Sequence, residues 1–195
     1  MYEQFTPLLE KMELICPIPE IEKQRFLAIL KARRLGKGDF FVRAGEKNGL
    51  VGFMVSGLLR YFYVSENGKE FIKHFCLGGN FIATLSSLLT NEMSSYFIEA
   101  LEETNIIVFS YQDWLKLLKT HPVWGQINGE IQNQALITAE KRERSLILDD
   151  AMTRYRELLA DFPGIEGRVK LYDIANYLGI TAVALSRLRG KTAQK

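Results

Sequence analysis

The chain has 195 residues, of which 47% are hydrophobic and 25% are charged, so it can bury a core and is neither disordered nor fibrous. No apolar run approaches the roughly 20 residues of a membrane-spanning helix, and the N-terminus lacks the pattern of a secretory signal, so we expect a cytoplasmic protein with no membrane partner. The formal net charge is only +2, which excludes neither acidic nor basic partners until the charges are located along the chain.

The first half of the sequence predicts helices followed by a β-rich domain. One or two helices are expected over 8–30, interrupted at Pro17 and Pro19. Over 35–109 short β-rich runs alternate with glycines, which favours a small β-barrel or sandwich, and ATLSSLLTNEM inserts a short helix near its end. Asn67-Gly68 predicts a hairpin with a type I′ turn, because both residue types tolerate positive φ.

A long helix is predicted next. Ser110 is suited to cap a first helix, which ends at His121-Pro122 because the residue before proline avoids the α region. Over 123–148 a partly apolar stripe recurs at spacings of three and four: Trp124, Ile127, Ile131, Gln134 and Thr138. This stripe either packs on its own domain or forms half of a two-helix seam, and we favour the seam. Asp149-Asp150 begins a further helix, which Pro163-Gly164 ends.

The stretch DIANYLGITAVALSRLRG has the spacing of a helix-turn-helix. Ala175 is small where the two helices would touch, and Gly179 accepts a left-handed turn four residues later. Apolar residues that would set the crossing angle fall at the expected positions, namely Ile174, Leu178, Ile180, Leu185 and Leu188. A plain helical hairpin shares part of this pattern but does not need a basic second helix.

Basic charge is concentrated at this end of the chain. Between Arg168 and Lys195 six basic residues accompany one acid, a net charge of +5 that leaves −3 for the rest. Such an asymmetry favours a polyanion as partner. We expect Thr181 to cap the second helix near a phosphate and Arg187 to reach guanine or the backbone. The candidate DNA-binding residues are Arg168, Lys170, Thr181, Ser186, Arg187, Arg189 and Lys191.

Together these segments resemble the Crp/Fnr transcription regulators, of the type common in Bacteroidetes. The resemblance covers nearly the whole chain and is most specific in GKGDFFVRAGE, FMVSGLLRYFY, ENGKEF and YDIANYLGITAVALSRLRG. It implies an α+β fold in which residues 1–122 form a cyclic-nucleotide-binding-like double-stranded β-helix, a jelly-roll-like β-roll. It also implies a central dimerisation helix over 123–148 and a DNA-binding helix-turn-helix domain over 149–195. The implied partners are double-stranded DNA, a second copy of the chain, a small-molecule effector and RNA polymerase.

The ligand cassette of cyclic-nucleotide binders is altered in this chain. Asn80 stands where those relatives carry the glutamate that holds the ribose, and Ser94 stands where they carry the arginine that holds the phosphate, while Ser95 keeps the hydroxyl. A buried phosphate without a cation is poorly compensated, so we expect cyclic AMP not to be the effector. A pocket for another effector would be lined by Tyr61, Tyr63, Gly79, Asn80, Phe81, Ser94 and Ser95. The alternative is that side chains fill this space.

Other functions find less support in the sequence. Cys16 and Cys76 match no metal, iron-sulfur or disulfide spacing, and His74 with Cys76 favours core packing over haem ligation. No nucleophile has an evident base, so we expect no enzyme and no required cofactor. Ala182 and Val183 cannot read bases by hydrogen bonds. They keep open a second hypothesis, a cytosolic ligand-binding or interaction module that has lost specific DNA recognition.

Overall fold

A computed structural model describes residues 3–192, with side chains as far as Gly190. Eight strands form two antiparallel sheets, one ordered β1-β8-β3-β6 and the other β2-β7-β4-β5. The strands are β1 (Lys31–Leu35), β2 (Phe40–Val42), β3 (Leu50–Ser56), β4 (Leu58–Val64), β5 (Glu70–Leu77), β6 (Phe81–Ile82), β7 (Phe97–Ala100) and β8 (Thr104–Ser110). The helices are α1 (Thr6–Glu13), α2 (Glu20–Leu27), α3 (Leu85–Thr90), α4 (Tyr111–Leu117), α5 (Pro122–Leu148), α6 (Ala151–Asp161), α7 (Leu171–Tyr177) and α8 (Ala182–Thr192). The α+β architecture is therefore confirmed.

Alternating strand residues divide the buried side chains into three clusters. Side chains from both sheets fill the roll interior, among them Met54, Tyr61 and Ile98. The outer face of the first sheet packs against α1, α2, α4 and the start of α5. The outer face of the second sheet packs against α6, α7 and α8. The roll and the C-terminal helices thus pack together through the third of these clusters.

The predicted hairpin forms, but with a different turn. Ser65 donates to the Lys69 carbonyl at 3.0 Å and Gly68 donates back to the Ser65 carbonyl at 2.8 Å. Gly68 has φ of +79°, whereas Asn91 is the sole non-glycine residue with positive φ among those described, so Asn67 is not in a type I′ turn. The Asn67 side-chain oxygen instead accepts from the Ser65 hydroxyl and the Lys69 amide, which stabilises a longer loop with one left-handed glycine.

Helix α5 begins at Pro122 and runs unbroken to Leu148, as the sequence predicted. Its start is capped by the His121 imidazole, which accepts from the Val123 amide at 3.2 Å, whereas Ser110 makes no side-chain cap at α4. Trp124 and Ile127 are buried against the roll of their own chain, whereas Gln134 and Thr138, further along the same stripe, are exposed, so only the first half of the stripe packs internally. Within residues 3–192 no helix combines the length and the apolar character needed to cross a bilayer.

A buried carboxylate joins α2 to the start of α5. Glu22 is 2% exposed and accepts hydrogen bonds from the Trp124 indole and the Thr120 hydroxyl, both at 2.8 Å, and it pairs with Arg25. Burial raises the pKa of Glu22, but the hydrogen bonds from Trp124 and Thr120, together with the charge of Arg25, outweigh this effect, and the pKa lies below the ordinary value.

We expect Glu22→Gln to destabilise the chain by about 2 kcal/mol at pH 7, because charge-assisted hydrogen bonds to a buried group are lost. A lowered pKa contributes stability above the unfolded-state value of 4.5 and loses it as pH falls, so the difference from wild type should shrink below that pH. Urea unfolding at pH 7 and pH 4 measures both effects. A constant difference across this range would contradict the assignment.

Candidate DNA-binding surface and sensor domain

Helices α7 and α8 form the predicted helix-turn-helix geometry. Gly179 has φ of +69°, and the following Ile180 amide donates to the Ala175 carbonyl at 3.0 Å, which closes the turn. The Thr181 hydroxyl accepts from the Ala184 amide at 3.1 Å and so caps α8. Leu185 is fully buried and holds α8 against α7. The turn and the crossing thus rest on the residues that the spacing singled out.

One face of α8 is presented to solvent. Thr181, Ser186 and Arg187 are exposed, together with Ala182 and Val183. The side chain of Arg187 makes no hydrogen bond or ion pair with any residue in the described part of the chain. A free guanidinium on an exposed helix, backed by a buried leucine, can meet a phosphate or a base edge without first breaking an internal contact.

The other predicted DNA-binding residues differ in their surroundings. Arg168 donates to Glu102 at 2.7 Å and to the Gly57 carbonyl at 3.0 Å, so its guanidinium links this domain to the roll, and its contact with DNA stays a prediction. Arg189 pairs with Glu166 at 3.0 Å but stays half exposed. Lys170 is exposed at the start of α7. Lys191 belongs to α8, but its side chain lies outside the described residues.

The side chain of Asn176 attaches α7 to the edge of β5. Its oxygen accepts from the Ile72 amide at 2.7 Å and its nitrogen donates to the Glu70 carbonyl at 2.6 Å. One side-chain amide therefore satisfies two backbone groups of an edge strand, as a neighbouring strand would.

Arg60 is the second link between the roll and α7. Its guanidinium is 12% exposed and contacts three carboxylates: Glu99 at 2.7 Å, Glu70 at 2.6 Å and Asp173 at 3.3 Å. Burial is the main cause of a raised pKa at Asp173, which Arg60 partly offsets. The sequence analysis did not identify Arg60, although an arginine in the middle of the apolar strand LLRYFYV was a usable signal.

The residues predicted to line an effector pocket separate into two groups. Ser94 and Tyr61 lie in the interior beside Tyr96, to which the Ser94 hydroxyl donates at 2.7 Å, whereas Tyr63 and Ser95 are exposed. Asn80 donates to the Leu77 carbonyl at 3.0 Å, just after the turn that holds Gly79 and just before Phe81, the first residue of β6. These contacts agree with the alternative in which side chains fill the roll.

Neither of the two side chains considered as haem ligands, His74 and Cys76, is exposed. Burial lowers the pKa of His74 to about 4 and raises the pKa of the Cys76 thiol to about 12. Phe162 and Tyr61 pack edge-on against the His74 ring. Within residues 3–192 no cluster of three or more histidine, cysteine and acidic side chains is arranged to hold a metal ion.

Comparison with known proteins agrees with this architecture. Residues 32–121 match the cyclic nucleotide-binding domain. The fumarate and nitrate reduction regulatory protein of Vibrio cholerae is 25% identical over 176 residues, which cover 84% of this chain and 69% of that protein.

Two solved structures share the fold. FixK2 from Bradyrhizobium japonicum has a TM-score of 0.74 at 19% identity, covering 85% of each chain. A Crp/Fnr family protein from Eubacterium rectale has a TM-score of 0.71 at 18% identity, covering 95% of this chain and 88% of that one. Residues 32–121 therefore form a cyclic nucleotide-binding domain, and the chain, in which a long helix and a helix-turn-helix follow that domain, is similar to the Crp/Fnr transcription regulators in sequence and fold.

Proposed function

We propose that this protein is a homodimeric, cytoplasmic transcription regulator in which α8 enters the major groove of DNA. The observation that carries the proposal is the exposed face of Thr181, Ser186 and Arg187 on a helix held from behind by Leu185. Thr181 and Ser186 supply hydroxyl contacts, and Arg187 supplies a bidentate donor. Lys170 and Arg189 add positive charge that attracts the DNA phosphates but does not distinguish one base sequence from another.

The exposed side of α5 supports the homodimer. Leu136 is 67% exposed and Ile147 is 71% exposed, and they lie eleven residues apart, about three helical turns, on the side opposite the buried Ile127. Gly129 falls on the same side and leaves room for a close approach. A second copy packed along this side would cover apolar surface that a monomer leaves in water, and would present two copies of α8 to a two-fold DNA site.

The effector, in this proposal, is not cyclic AMP. The Ser94 hydroxyl is buried and donates to the Tyr96 carbonyl, and Asn80 is turned back into its own loop. Neither position offers the cation that a buried cyclic phosphate needs. RNA polymerase is the further partner that a regulator bound to promoter DNA would contact.

Arg187→Ala tests the DNA-binding proposal. Loss of one bidentate contact costs about 1–3 kcal/mol, which is roughly a 5–150-fold loss of affinity for the preferred sequence. Selection from genomic fragments gives that sequence, and fluorescence anisotropy with the full chain gives the affinity. Lys116→Ala removes the same charge from α4 and should change affinity little. Binding without any preferred fragment, lost above physiological salt, would contradict the proposal.

The exposed Ala182 and Val183 favour one alternative, an interaction module whose α8 docks on a protein. Affinity for DNA that is unchanged in an Arg187→Ala, Arg189→Ala double variant would support this alternative over the regulator.

A further inference from the structure

A small cavity lies where the roll, the central helix and the C-terminal domain meet. Its volume is about 50 Å³, enough for roughly three to five waters. Its walls come from β5, α5, α6, the segment just after α6, and α7, and they include His74, Arg142, Arg154, Phe162 and Tyr177. The sequence analysis assigned no function to this group of residues.

Cations converge on this cavity. Arg142 stacks over the Tyr177 ring at 3.7 Å from its centroid and donates through Nη2 to the Tyr177 carbonyl. Its Nε is buried and has no hydrogen-bond partner within the described residues. Arg154 donates to the Leu178 carbonyl at 3.0 Å, and Lys141 pairs with Asp161 at 3.3 Å. A buried guanidinium N–H without an acceptor is costly, so the Arg142 side chain is only partly satisfied where it lines the cavity.

The electrostatics of the lining favour an anion. Burial and the nearby charge of Arg154 lower the pKa of Arg142, and after burial the charge of Arg142 is the next cause that lowers the pKa of His74. Three cations face two carboxylates, Glu157 and Asp161, so the lining carries a net +1 while His74 is neutral. Glu157 is also engaged, because it accepts from the Ser145 hydroxyl at 2.8 Å.

We propose that this cavity binds one compact oxyanion, of the size of inorganic phosphate or sulfate, with the Arg142 guanidinium and the Lys141 ammonium group as its donors. The volume excludes a nucleotide, and the excess of cations disfavours a metal ion. Arg154 adds a third positive charge from α6, whereas the Thr138 hydroxyl already donates to the Gln134 carbonyl at 2.8 Å. The proposal does not depend on DNA binding. It does place an anion at the contact of sensor and C-terminal domain, where it would stabilise their docking.

Thermal unfolding of the full chain tests this site, with potassium phosphate compared with potassium chloride at matched ionic strength. We expect a saturable rise in Tm for the wild type, since a ligand that binds only the folded chain stabilises it. Arg142→Gln should abolish the rise. Arg187→Ala should retain the rise in Tm, because Arg187 lies on the exposed face of α8, outside the cavity. This variant is the control for phosphate bound at the proposed DNA-binding surface.

Two outcomes would overturn the proposal: a wild type whose Tm does not differ between the salts, or a rise that survives in Arg142→Gln. If Arg142→Gln fails to fold, Lys141→Gln replaces it, since Lys141 is half exposed and its loss leaves the core intact. That variant should raise the phosphate concentration for half-saturation several-fold, and an unchanged value would overturn the proposal.

Discussion

Replacing Leu136 and Ile147 together by glutamate should make the chain monomeric and lower its affinity for DNA by about 100-fold or more. Each apolar side chain covered at a seam contributes about 1.5–3 kcal/mol, and burying two carboxylates in its place adds a further penalty. A monomer also contacts only one half-site of a two-fold symmetric DNA site. Light scattering coupled to gel filtration measures the mass, and fluorescence anisotropy measures the affinity.

The matched control for this variant uses the same chemistry elsewhere. Leu14 and Ile21 are exposed apolar residues at the N-terminal helices, far in sequence from α5. Leu14→Glu with Ile21→Glu should leave both mass and DNA affinity unchanged. A wild type that is monomeric at the concentrations used for DNA binding would disprove the seam.

Replacing Arg60 by methionine should destabilise the chain by about 3–5 kcal/mol at pH 7. The substitution roughly keeps the length of the side chain but removes the guanidinium that contacts Glu70, Glu99 and Asp173. Breaking a buried ion pair in this way leaves uncompensated charge in a partly dry site. Arg34→Met is the control, because Arg34 pairs with Glu103 at the surface, where an ion pair contributes only about 0–1 kcal/mol.

The Arg60 variant should also change how stability depends on pH. The pKa of Asp173 is already raised by burial, and without Arg60 it should rise further. A carboxyl whose folded-state pKa exceeds its unfolded value binds more protons when folded, so stability increases as pH falls through the folded-state pKa. The deficit at pH 7 should therefore be smaller at pH 5. Urea unfolding at both values measures it, and a deficit no greater than that of Arg34→Met would contradict the role of Arg60.

The contacts of Arg60 and Asn176 join the roll directly to the helix-turn-helix. Both join strands β4 and β5 to α7, which carries α8 through the turn at Gly179. An effector that binds two arrangements of the roll with different affinity would therefore change the position of α8.

Local patterns in the sequence determined much of the architecture. The helix-turn-helix follows from Ala175, Gly179 and Leu185, because a small contact residue, a left-handed turn and a buried anchor depend on neighbours within about ten positions. The hairpin at Gly68 and the cap at Thr181 have the same local origin. The exposed face of α8, with Arg187 outward, follows from helical periodicity once Leu185 is placed inside.

Only the tertiary structure decided what each face of these elements contacts. The stripe of Trp124 and Ile127 is apolar in either interpretation, and the roll packed beside it made that side internal. The sequence shows that Arg168 is basic, but only the fold brings it against Glu102, 66 positions away, with which it forms an ion pair. Burial and ion pairing depend on residues that are distant in sequence and close in space, and a local pattern carries no information about them.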